Sequence, residues 1–347
     1  MSKKTTSFAI ALLAATTLAG CSSGSSTPRD LAPAVSVSGN RLVDGAGHTL
    51  VLRGVTRQDS EIGCPRGNVF TDPTGASSLQ VLRGWHVNTV RLLLNEDCWL
   101  GINGVPAAAA GAAYRSAVVG YVNRLNAAGL IAIVSLGWTA PGSELSDNAR
   151  AQFMADTSHA AEVWKSVAAT FADHPSVLFD LFSEPYDVSW NCWRDGCTTA
   201  AGWQATGMQQ LLDAVRAAGA HQPVLLSGLD EGNDLSGWLT HLPRDPDHRL
   251  VAAFHLFDVY PCVTTSCWDS QVAQVAAKVP LVATEVGSYL CDPSIPKAFY
   301  SWAARHGVSF LGAFWDVGSC GQGSSLLETS PSGTPSPLGA ALKTALG

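Results

Sequence analysis

The chain has 347 residues, 46% of them hydrophobic and only 14% charged, with a formal charge of −7. That is enough apolar sequence for one large domain or two ordinary ones. No basic patch occurs along it, which argues against a nucleic-acid partner and leaves a neutral one as the better fit.

The first segment is not part of the fold. Lys3 and Lys4 precede an apolar stretch from Phe8 to Leu18, which reads as a secretory signal over residues 1–20, too short for a mature membrane span. It closes on Leu18-Ala19-Gly20-Cys21, which resembles the lipobox of bacterial lipoproteins. On that resemblance Cys21 is the acylated first residue of an exported lipoprotein, touching the membrane through its lipid alone. The plainer alternative is ordinary cleavage nearby, with Cys21 incidental. Residues 21–34, rich in Ser with Pro28 and Pro33, read as a flexible tether, and residues 35–347 as the catalytic domain.

Val35–Thr49, with Asp44-Gly45 inside it, predicts a small β-hairpin. Eight short apolar runs follow: Leu50–Val55, Val87–Leu94, Leu130–Leu136, Val177–Phe182, Val224–Leu229, Leu250–Phe254, Leu281–Thr284 and Phe310–Trp315. Amphipathic stretches such as Ala113–Ala128, Ala151–Ala172, Ala201–Ala218 and Trp268–Lys278 lie between most of them, and Leu338–Leu346 would be the last helix. Eight strand–helix units predict an α/β fold, a (β/α)8 TIM barrel with a short N-terminal hairpin.

Sites in such barrels lie at the C-terminal ends of the strands. Glu184 and Glu285 each end an apolar run, where a carboxylate is costly to desolvate unless something holds it or it has work to do. Facing each other across a barrel mouth, they suit the acid and nucleophile of retaining glycoside cleavage, which needs carboxyl groups about 5–5.5 Å apart. One such Glu alone would be read as a helix cap or a partner of Arg. Arg91, in an otherwise apolar strand, must be paired, and would hold Glu285 ionised or form a plain structural salt bridge. His255 at a strand end stands about evenly between core and site. Trp138, Trp190, Trp193, Trp268 and Trp315 fall near loops, where they could stack on sugar rings or belong to the core. No His-x-His pair, strand-end Lys or phosphate-binding glycine loop points to metal, Schiff-base or nucleotide chemistry, and no cofactor is expected.

Nine cysteines leave eight once Cys21 is set aside, an even number that suits disulfides in an exported chain. Eight allow 105 connectivities. Short spacing favours Cys192–Cys197 and Cys262–Cys267, and Cys64–Cys98 with Cys291–Cys320 would complete the set.

Together, Leu52-Arg-Gly-Val55, Asn88-Thr-Val-Arg91, Gly137-Trp-Thr-Ala-Pro-Gly142, Leu181-Phe-Ser-Glu-Pro185, Phe254-His255, Thr284-Glu-Val-Gly287 and Ala313-Phe-Trp315 resemble glycoside hydrolase family 5. The resemblance runs from about Val35 to Leu346. It implies that Glu184 is the acid/base and Glu285 the nucleophile, and that Arg91 and His255 support the nucleophile and sugar. It also implies that Trp315 floors the subsite at the cleaved bond, with a cis peptide between Trp315 and Asp316. Three positions depart from the family. Ser183 replaces the Asn that holds the sugar 2-OH, Gly137 replaces a frequent His, and Phe257 replaces a Tyr beside the nucleophile, for which Tyr260 could substitute. The expectation is a monomeric retaining β-glycosidase acting on a β-linked glycan or glycoconjugate. The alternative is a glycan-binding surface lipoprotein with little turnover.

Overall fold

The computed structural model describes residues 1–2, 32–147, 152–321 and 323–347. The expected signal segment and the lipidation residue Cys21 lie outside the described residues. The expected tether ends sooner than residue 34. Ala32 is buried, its N–H donates to Asn126 O at 3.0 Å, and its own carbonyl accepts from Ser176 Oγ at 2.9 Å.

Eight parallel strands close into a barrel: β1 (Arg53–Arg57), β2 (Thr89–Asn95), β3 (Ile131–Trp138), β4 (Val177–Asp180), β5 (Val224–Ser227), β6 (Leu250–Leu256), β7 (Leu281–Val286) and β8 (Ser309–Ala313). Closure is made where β8 meets β1, with Phe310 opposite Arg53 and Ala313 opposite Thr56. Such strands are buried on both faces, which is why they read as near-continuous apolar runs. All seven residues of β2 are buried, Arg91 included.

The run Leu50–Val55 turns out to be divided between two sheets. Leu50 pairs with Leu42 in a three-stranded antiparallel sheet (Ser36–Ser38, Arg41–Val43, Thr49–Leu50), one strand more than the expected hairpin, while β1 continues to Arg57. Val35 and Leu42 from this segment close the barrel floor against Leu52, Ile133, Leu178 and Leu311.

Alternation along the strands explains where the polar layer starts. Ile131 and Ile133 point into the floor, and the next inward residue of β3 is Ser135. On β4, Leu178 is followed inward by Asp180. The barrel interior therefore changes from apolar to ionic one step above Ile133.

Helices cover the outside. Ala160–Phe171 buries Val163, Trp164, Val167 and Phe171 on one stripe, and the Trp164 ring meets Phe179 of β4 edge-on at 5.9 Å. Other covering helices include Ala76–Gly84, Ala112–Ala127, Met208–Ala217, Ser294–His306 and Pro337–Leu346. After β5 only a 3-10 turn, Trp238–Thr240, stands where a helix would be. There the indoles of Trp193 and Trp238 cap the strand end, donating to Ser227 O at 2.9 Å and Leu226 O at 3.0 Å. No helix among the described residues is long and apolar enough to cross a membrane.

Four disulfides join Cys64–Cys98, Cys192–Cys197, Cys262–Cys267 and Cys291–Cys320. Their cysteines follow the C-terminal ends of β1, β2, β4, β6, β7 and β8, on the loops that surround the barrel mouth.

Candidate active site

Arg91 organises the floor of the mouth. Its side chain is fully buried, and each nitrogen finds an acceptor: Nε donates to Asp180 Oδ2 at 2.8 Å, Nη1 to Glu285 Oε1 at 2.6 Å, and Nη2 to Ser135 Oγ at 3.0 Å and Ser183 Oγ at 2.7 Å. A buried guanidinium needs this degree of pairing. Ser183 is thereby tied to Arg91.

Glu285, near the end of β7, is 1% exposed, and its second oxygen Oε2 is buried with no hydrogen-bond partner. Phe257, in place of a tyrosine, offers no hydroxyl there. The Tyr260 hydroxyl does not reach this oxygen either, and its ring packs edge-on against Phe257 at 5.6 Å.

Glu184 follows β4, with its side chain 42% exposed to the cleft and its Oε1 3.3 Å from His255 Nδ1. His255 Nε2 lies 3.8 Å from Glu285 Oε1, so the imidazole stands between the two acids. Gly232 allows this packing, because a Cβ there would press on the His255 ring and the backbone has φ +84°. One oxygen of Glu184, one of Glu285 and one His255 nitrogen all lie within 4.8 Å of one another. A cation could be held at that spacing, but Glu285 already has the Arg91 guanidinium as its positive partner.

The environments separate the two acids. Desolvation, then the charge of Glu231, pushes Glu184 up to about 7, with Arg91 opposing. Burial raises Glu285 above its ordinary value too, with the charge of Glu184 adding to it and the Arg91 ion pair pulling the other way. Burial lowers His255 and favours the neutral imidazole. Of the two carboxyls, Glu184 is the one without an ion pair to oppose protonation.

Glu184 and Glu285 open into a cleft of ≈ 460 Å³, lined also by Glu61, Trp138, Tyr289 and Phe314. Trp315 does not reach it. That ring is 2% exposed and packs edge-on against Trp85 at 4.9 Å, in the layer outside the barrel. The aromatic on this side of the cleft is its neighbour Phe314, and the cis peptide lies between Ala313 and Phe314 instead of after Trp315. Trp193 and Trp268 are core residues, and Trp190 stacks on His241 at 5.9 Å.

The structure thus gathers Glu184, Glu285, Arg91, Ser183, His255 and Trp138, sets Tyr260 beside Glu231, and sends Trp315 elsewhere. Sequence reasoning missed Glu61, Asp180, Tyr289 and Phe314. Asp180 had a signal, as a lone carboxylate inside the run Val177–Phe182. Glu61 carries no such signal: the apolar run Leu50–Val55 stops short of it, and the charged residues from Arg57 to Glu61 do not read as a strand end.

The cellulase family, glycosyl hydrolase family 5, matches residues 43–321. A mannan endo-1,4-β-mannosidase of Streptomyces lividans is 25% identical over 311 residues, covering 86% of this chain and 70% of the relative. The solved β-mannanase from Thermomonospora fusca superposes with a TM-score of 0.65 at 18% identity, over 90% of this chain and 95% of that one. A β-glucanase from Saccharophagus degradans in complex with cellotetraose does so with a TM-score of 0.63 at 20% identity, over 91% and 93% of the two chains. At these identities the two structures speak for the fold alone.

Proposed function

The chain belongs to glycosyl hydrolase family 5, the cellulase family, and is a glycoside hydrolase; from that premise we propose that it is a retaining β-glycosidase with Glu184 as acid/base and Glu285 as nucleophile. The observation that carries this reading is the approach of a Glu184 oxygen to a Glu285 oxygen within 4.8 Å. Double displacement needs carboxyl groups about 5–5.5 Å apart, whereas an inverting pair stands about 6.5–9.5 Å apart to admit a water.

In the first step Glu285, kept ionised by Arg91, attacks the anomeric carbon while Glu184 gives its proton to the departing oxygen. The product is a glycosyl ester on Glu285 and a free leaving group. Glu184, now a carboxylate, takes a proton from water, which attacks the anomeric carbon, displaces the Glu285 carboxylate and releases a sugar of the original β configuration. His255 supports both acids, and Trp138 with Phe314 supplies apolar faces for the ring.

The substrate class is a β-linked glycan or glycoconjugate taken up in carbohydrate breakdown. The mannosidase among the relatives and the cellotetraose held by the β-glucanase make β-1,4-mannan and β-1,4-glucan oligosaccharides the first probes. Glycan binding with little turnover is not favoured, since both acids stand together with Arg91.

The test is turnover of aryl β-glucosides, aryl β-mannosides and the matching oligosaccharides, with the first product anomer read by proton NMR. Retained β product from the native protein, and loss of turnover on the order of 10⁴-fold or more in Glu285→Gln at unchanged melting temperature, is expected. Inverted product, or full activity in the variant, refutes the assignment. Four disulfides fit export of the chain. We further propose attachment to a membrane surface through a lipid on Cys21, with the enzyme acting as a monomer.

A further inference from the structure

Glu61 stands in the cleft with no task in the double displacement. Its short helix, Asp59–Ile62, follows β1 directly. The backbone there is fixed: Glu61 O accepts from Asn95 Nδ2 at 3.2 Å, and Ser60 O from the Tyr114 hydroxyl at 2.9 Å. The side chain is 5% exposed, and Oε2 is buried with no hydrogen-bond partner. A Cβ added at position 137 would overlap that oxygen, so the carboxyl occupies room that only a glycine leaves. Glu61 and Gly137 both line the cleft that holds Glu184 and Glu285. A buried polar atom without a partner is expensive, and the carboxyl that carries it borders the cleft.

We propose that Glu61 contacts the substrate: lodged beside Gly137, its carboxyl hydrogen-bonds one hydroxyl of the sugar ring seated at Glu184 and Glu285, and so helps to decide which sugar epimer is accepted. This rests on the hydrolase reading given above. Burial pushes the Glu61 carboxyl well above the ordinary range; the charges of Glu285, Glu184 and Asp316 act in the same sense, and Arg91 opposes them. That direction favours the neutral acid, which offers one O–H donor and an acceptor. A sugar hydroxyl offers the complement, whereas a uronate carboxylate would be repelled by Glu285. A site built around a hydroxyl discriminates strongly against a ring that lacks it or turns it away.

The experiment compares native protein, Glu61→Gln, Glu61→Ala and Gly137→Ala on aryl β-glucosides, aryl β-mannosides and their monodeoxy analogues, with melting temperatures as the folding control. Glu61→Ala is expected to lose about tenfold in kcat/KM on the preferred parent sugar, the worth of one hydrogen bond, and nothing on the single deoxy analogue that lacks the contacted hydroxyl. Glu61→Gln keeps a donor and an acceptor and should stay within about threefold of the native protein. Gly137→Ala should mimic Glu61→Ala, and the double variant should be no worse than either alone. Equal loss on every analogue, or no loss on any, overturns the inference while leaving the hydrolase reading intact. If the native protein cleaves none of these compounds, calorimetric binding of mannotetraose and cellotetraose replaces turnover. Weaker binding by Glu61→Ala then supports the contact although the hydrolase reading has failed, and unchanged binding overturns it. Neither turnover nor binding overturns both.

Discussion

Arg91 and Glu285, from strands β2 and β7 of one barrel, meet through a 2.6 Å hydrogen bond. The other edge of the same guanidinium is held by Asp180 at 2.8 Å. Glu285 is therefore aimed by a charge that a third strand, β4, keeps in place. Desolvating such a triad costs several kcal/mol per ion, and the cost is offset only because the guanidinium nitrogens are all used.

Removing the centre of the triad should be worse than loosening its edge. Arg91→Met leaves two buried carboxylates without a cation and is expected to cost about 3–5 kcal/mol of stability. Asp180→Asn keeps the shape and should fold, yet lower kcat between about tenfold and 10²-fold by letting Arg91 and Glu285 drift. Chemical denaturation and steady-state kinetics on the two variants check this; an inactive Arg91→Met of native stability would contradict it.

As the proposed acid, Glu184 should set the alkaline limb of activity. Partial desolvation in the cleft, then the charge of Glu231, pushes its pKa up to about 7. A general acid works only while protonated, so kcat/KM is expected to hold below that value and fall tenfold per pH unit above it. Glu184→Gln removes the limb. With a 2,4-dinitrophenyl leaving group, which departs without a proton, the first step in that variant should stay fast. A pH–rate profile and a pre-steady-state burst report the two effects.

Phe314 and Trp315 should fail differently. Phe314→Ala strips an apolar face from the cleft and loosens the packing on Phe257, and the expected result is a drop in kcat/KM of about tenfold with a smaller loss of stability than at position 315. Trp315→Ala empties a packed site beside Trp85, expected to cost about 3–5 kcal/mol. Thermal melts beside oligosaccharide kinetics distinguish them, and the reverse pattern would restore Trp315 to the cleft.

Cys21 is tested in cells. Growth on labelled fatty acid should label the native protein and not Cys21→Ser, and the variant should leave the membrane fraction. Label retained in Cys21→Ser would place the lipid elsewhere.

Most of the barrel was legible because a doubly buried strand must be largely apolar, as Thr89–Asn95 is apart from Thr89, the ion-paired Arg91 and the Asn95 that caps the next helix. What escaped was direction. Leu50 is as apolar as Leu52, yet it pairs in the outer sheet, because the chain turns between them. The adjacent residues at 314 and 315 are both large aromatics, and only the backbone decides that one lines the cleft and the other packs outside the barrel. Single-letter departures were visible at Gly137 and Ser183, but their compensation was not. The neighbour that fills Gly137's space comes from position 61, and the partner of Ser183 from position 91.

The cross-links divide the molecule by how it is held. Cys64–Cys98 ties the loops after β1 and β2, and Cys291–Cys320 ties those after β7 and β8. The opposite end has no sulfur bond among the described residues and relies on Val35, Leu42 and the floor they cover. A thiol reductant would thus slacken the rim while the scaffold stays shut. Lost turnover at an unaltered far-ultraviolet spectrum would be its signature.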